Sequence, residues 1–130
     1  MASRKKPDNP VTPEAADAFA MFMRKWQEQL NLSDWRIERS AKPAGRANLA
    51  EVNRMSLPDR LATYRIGDDF GSMSVNEATL EQIACHEVLH IFLRELIDTA
   101  KDAQTVTADT LSSAEHRVVN TLVQLLVPDR

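Results

Sequence analysis

Residues 86–90 read His86-Glu87-Val88-Leu89-His90, inside a stretch where Ile83, Leu93 and Ile97 fall on the same helical stripe as the two histidines. On an α-helix, side chains four apart stand on one face with Cβ atoms roughly 6 Å apart, the separation two imidazoles need to share one metal ion. The segment therefore predicts a helix. It begins near Asn76 or at Thr79, the second choice making a capping box with Gln82, and runs to about Ala100. The apolar companions place both histidines on the interior side. A lone inward histidine is usually a hydrogen-bonded core residue, but two at this spacing with an adjacent Glu87 point to zinc. Glu87 projects about 100° round from His86, so it reaches a water in the open coordination position rather than the ion itself, which makes it the candidate general base.

A catalytic zinc normally takes three protein ligands, and Glu115 and His116 are the candidates for the third. The last helix, predicted from about Leu111 to Val127 and stopped by Pro128, has its apolar stripe at Leu111, Val118, Val119, Leu122 and Leu126. Glu115 falls near the centre of that stripe, where a carboxylate without a partner is strongly disfavoured. A zinc ion is such a partner. His116 lies about 100° away, at the stripe's edge, and is the ligand if the helix is rotated. The bland alternative pairs Glu115 with an arginine.

The remaining pattern frames this site. Thr12, Pro13 and Glu14 are a helix-start signal, followed by Ala16, Phe19, Met23, Trp26 and Leu30 at helical spacing, so a helix spans about Thr12 to Leu30. Trp35 and Ile37 alternate with charged residues as a short strand. A second, poorly alternating strand covers Ala47 to Arg54, and a third has Ala62, Tyr64 and Ile66 on one face. Gly71 to Asn76 reads as a loop, and Lys101 to Thr110 is polar and unassigned. The order helix, small three-stranded sheet, helix, helix is an α+β arrangement. At 130 residues, 43% of them hydrophobic, the chain suits one domain over 12–130. It is preceded by a mobile basic tail over 1–11, in which Arg4, Lys5 and Lys6 are a solvated terminus.

Net charge of −3 gives no cationic field, so neither nucleic acid nor a membrane surface is an expected partner. Cys85, the single cysteine, excludes an intramolecular disulfide and a cysteine-rich zinc site, and fits a reducing, cytoplasmic compartment. The basic, proline-rich start lacks the apolar stretch of an export signal.

His86-Glu87-Val88-Leu89-His90, followed by Glu115, resembles the zincin metallopeptidases, in the branch whose third ligand is a glutamate on the following helix. The stretch from Asn31 to Ile37, a helix end running into a strand with Trp35 and Ile37 inward, resembles the opening of small phage-type and bacterial metallopeptidases. The metzincin glycine after His90 is absent. The deformylase reading fails because Cys85 adjoins His86 on the helix. The resemblance implies a minimal zincin-like domain, with a peptide or protein substrate lying along a strand edge, for which the Ala62 to Ile66 strand is the candidate. Glu87 then serves as general base, with His86, His90 and Glu115 on zinc. Tyr64 is a candidate to steady the oxyanion, although a strand tyrosine more often packs. The competing expectation is a zincin-like module that binds zinc without turnover.

Overall fold

Thr12 starts the first helix as the sequence signals. Its hydroxyl accepts from the Ala15 amide at 3.1 Å and Pro13 occupies the first turn, giving α1 over Pro13–Gln29. Asn31, in the left-handed region at φ 60°, ends it. The computed structural model describes residues 8–45, 49–101 and 107–126. The basic cluster at Arg4 to Lys6 lies outside them. Asn9 to Val11, read from sequence as part of the tail, are tied to the loop before the second long helix. The Asn9 side chain donates to the Gly71 carbonyl, the Asn9 amide donates to Asp69, and the Val11 amide to the Asp68 carbonyl.

Three strands follow, β1 (Arg36–Arg39), β2 (Ala50–Ser56) and β3 (Leu61–Ile66), in the order β1-β3-β2. β3 pairs parallel with β1 and antiparallel with β2, with an irregularity in register between Val52 and Arg54. β2 starts three residues later than its weak alternation suggested, and Ala47 is outside the described residues. β3 alternates as expected, burying Ala62, Tyr64 and Ile66. Its central position corrects one expectation: both of its edges are paired, so the cleft edge is not the Ala62 to Ile66 strand. The outer strand lying against the histidine helix is β2.

That helix, α2, spans Glu77–Phe92. Asn76 is the cap, its side chain accepting from the Thr79 amide at 2.9 Å. At Leu93 the amide is shared between the carbonyls of Leu89 and Ile91, and the run bends into α3 (Arg94–Lys101) instead of continuing straight. The last helix, α4, spans Ala108–Leu126. It begins three residues earlier than the apolar stripe suggested, because Thr107 and Thr110 cap reciprocally, each hydroxyl accepting from the other's amide. Val127 and Pro128 are outside the described residues.

The core joins α1, α2 and β3. Phe19, Met23, Tyr64, Leu80, Ala84, Val88 and Ile91 belong to one buried cluster, and Phe19 is packed on Tyr64 with ring centroids 5.6 Å apart. Glu81 on α2 pins α1 from outside, accepting from both Lys25 and the Trp26 indole. The layout is α+β: N-terminal helix, three-stranded mixed sheet, bent central helix, C-terminal helix. Among the described residues, no helix is long and apolar enough to cross a membrane.

Candidate metal centre

The face that α2 buries is set by Leu80, Ala84, Glu87, Val88 and Ile91. At about 100° per residue, His86 and His90 fall roughly 105–145° round from the centre of that face, on the helix's outer flank. Both histidines are exposed, His86 with 69% of its side chain accessible, which corrects the expectation that they face the interior. Leu80, Val88 and Ile91 fill the core, Ile83 packs half-buried against them, and Leu93 and Ile97 are left exposed.

On that outer face the two imidazoles converge. Their Nε2 atoms stand 3.2 Å apart and the rings meet edge-on at 75°. Two nitrogens on a tetrahedral zinc with bonds of about 2.0–2.1 Å would be roughly 3.3 Å apart, so the observed spacing suits one ion held between them. Without an ion, one ring can donate a proton to the other across the same gap. Glu87 completes a group whose ligand atoms all lie within 4.8 Å of one another. A His/Glu/His cluster able to bind a metal ion is therefore present on α2.

Glu87 is only 6% exposed, and its two oxygens differ. Oε1 accepts from the Val52 amide of β2 at 3.0 Å, whereas Oε2 lies 3.9 Å from His86 Nε2. β2 thus fixes the rotamer of the glutamate and leaves one oxygen aimed at the imidazoles. Burial pushes the Glu87 carboxyl above its ordinary value, and that outweighs the lowering effects of His86, the Val52 amide and His90. Sequence reasoning found Glu87 but missed Val52, because a backbone donor from an irregular strand leaves no pattern to read.

The raised value carries a testable sign. In metal-free protein the folded state holds the Glu87 proton more tightly than the unfolded chain, so this group's contribution to stability is greatest below the ordinary glutamate range. It declines as pH rises through the raised folded value. Glu87→Gln removes the buried charge and keeps an acceptor for Val52. In chelator-treated protein it is expected to raise the melting midpoint at neutral pH by a few degrees, a difference that closes below about pH 4. Thermal scans across pH check this, and an unchanged or lowered midpoint at neutral pH contradicts it.

The other sequence candidates are elsewhere. Glu115 and His116 are both exposed on α4, and neither is in the cluster on α2. His116 Nδ1 lies 2.8 Å from the Ser112 carbonyl oxygen of its own helix. α4 buries Ala114 and Thr121, so its phase differs by one residue step from the one that would centre Glu115 inward. Tyr64 is buried in the core against Phe19, and burial raises its phenol pKa further. That is the packing role. Cys85 turns toward α1, lining an open groove with Trp26, Gln82 and Leu89 beside His86.

No protein-family profile matches the chain, and neither does any curated protein or solved structure. The chemistry of the site therefore rests on the residues themselves.

Proposed function

We propose that this chain is a zinc-dependent metallopeptidase, in which His86 and His90 hold the ion and Glu87 is the general base. The observation that carries the reading is the convergence of the two Nε2 atoms at 3.2 Å with a buried, half-engaged carboxylate beside them. Two imidazoles, with a carboxylate as third ligand, form a donor set that suits zinc. Glu115 on α4 is the carboxylate this reading assigns as third ligand, and it stands outside the cluster on α2. Bound zinc supplies Lewis acidity toward a water molecule and a carbonyl oxygen.

The chain's own residues do the rest. Glu87 Oε2, the oxygen not engaged by Val52, accepts the proton of the attacking water and passes it to the departing amide nitrogen. Its raised affinity for a proton suits a base that must hold one between the two transfers. β2 is an outer strand, so an extended peptide can lie alongside it within reach of Glu87. The reaction is amide hydrolysis without a covalent enzyme intermediate.

A second reading, a zincin-like interaction module that binds the metal without turnover, draws on Glu115 standing outside the cluster. One assay separates them. Zinc-loaded protein is expected to cleave members of a broad peptide library, with cleavage falling to background on chelation and returning with zinc. Demonstrably bound zinc with no cleavage across the library would transfer the assignment to the module.

A further inference from the structure

β2 and β3 do not keep one register. Val52 stands opposite Tyr64 and Arg54 opposite Thr63, so β2 advances two residues while β3 advances one. Asn53 is the extra residue, a β-bulge with no Cα partner of its own across the ladder. Part of the reason lies in the core. Val52 and Met55 are three apart, yet both pack against the buried cluster, and Arg54, between them, is exposed. In an uninterrupted strand of period two, residues three apart fall on opposite faces, so one extra residue is needed to bring both inward.

Core packing does not account for the polar contacts on either side of the bulge. The Thr63 hydroxyl, on the central strand, donates to Asn53 Oδ1 at 3.1 Å, and both side chains are half-buried, outside the apolar cluster. The residue just before the bulge, Val52, donates its amide to Glu87 Oε1 at 3.0 Å. Amides along an antiparallel strand alternate between the paired neighbour and the open side, and on β2, the outer strand, the Val52 amide leaves the ladder for α2. A bulge forgoes regular ladder bonds at its extra residue and raises the local twist. Its backbone is therefore held less firmly than the strand around it, and a side-chain tie to the central strand restores the restraint.

We infer that Asn53 and Thr63 are positioning residues for the general base: the Thr63 hydroxyl latches the Asn53 bulge to the central strand, the bulge aims the Val52 amide, and that amide holds Glu87 with Oε2 turned toward the imidazoles. This rests on the metallopeptidase reading for what Glu87 does, whereas how Glu87 is held stands on the two hydrogen bonds alone. Neither Asn53 nor Thr63 belongs to the His86, Glu87 and His90 cluster, so both act through the Val52 backbone. A misplacement of about 1 Å at a reacting group costs up to about 10²-fold in rate. Loosening the latch therefore slows the proton transfer and leaves metal binding and substrate binding as they are.

Thr63→Val keeps the branched shape that suits a central strand and removes only the hydroxyl. It is expected to lower kcat of the zinc-loaded full chain by about tenfold, with KM and zinc affinity at the wild-type level. Thr63→Ser, which restores the donor, should recover the rate. Asn53→Ala cuts the same tie from the other side and should match Thr63→Val. A second readout needs neither metal nor substrate. In residue-resolved hydrogen exchange on the chelator-treated full chain, Thr63→Val and Asn53→Ala should each speed exchange of the Val52 amide by about tenfold relative to the amides bonded between β2 and β3. Wild-type kcat in both variants, or unchanged Val52 exchange, overturns the latch. Uniform acceleration across β2 and β3 assigns the contact to sheet stability alone and also overturns it. Wild-type protein that cleaves no peptide ends the metallopeptidase reading, and Val52 exchange then decides by itself whether Asn53 and Thr63 hold Glu87 in place.

Discussion

Glu87→Gln is expected to lower peptide hydrolysis by about 10²–10⁴-fold while metal content stays at the wild-type level. The substitution keeps the size of the side chain and an amide oxygen for the Val52 amide, so the link between α2 and β2 survives. What disappears is the capacity of the second oxygen, 3.9 Å from His86 Nε2, to take up a proton. A general base in this position makes no bond to the ion, and rate and metal content should therefore separate. Steady-state kinetics with the metal measured on the same samples checks this. A variant that retains wild-type turnover would remove Glu87 from the chemistry, and one that loses its metal would make Glu87 a ligand.

Replacing the ligands should produce the opposite division. His86→Ala and His90→Ala are each expected to weaken zinc binding by more than about 100-fold, since even groups that merely support a ligand are worth about 10–100-fold. Both histidines are exposed and outside the core cluster, so metal-free stability should change little. Glu115→Ala should follow them in effect, and His116→Ala, whose ring is turned back onto the carbonyl of Ser112, should bind zinc like wild type. Calorimetric titration of the four variants gives the order. His116→Ala weaker than Glu115→Ala would reverse the assignment of the third ligand.

How far the sequence carried depends on which signal each residue gave. Thr12 with Pro13 announced α1, and the alternation of Ala62, Tyr64 and Ile66 announced β3, because caps and two-residue periods are local and strong. The spacing of His86 and His90 fixed their mutual geometry in the same way, and their Nε2 atoms do converge. Helix phase was less legible. Along α2 and α3 two apolar sets, Ile83 with Leu93 and Ile97, and Leu80 with Val88 and Ile91, compete for the core; packing against α1 and β2 buries the second, keeps Ile83 half-buried and leaves Leu93 and Ile97 exposed. On α4 the strongest stripe is the one left outside, which no single-helix argument anticipates. Strand order also lay beyond local pattern: β3 entering between β1 and β2 moved the free edge to β2 and brought the Val52 amide to Glu87.

The central claim is that this face of α2 is a metal centre, and zinc titration of chelator-treated wild-type protein, with elemental analysis of the loaded product, tests it most directly. The account predicts uptake of about one zinc per chain at neutral pH, weakening as the pH falls through the histidine range and both rings acquire protons. No calorimetric uptake and no retained metal, in protein whose fold is intact, would contradict it and leave the contact at 3.2 Å as an ordinary hydrogen bond between two histidines.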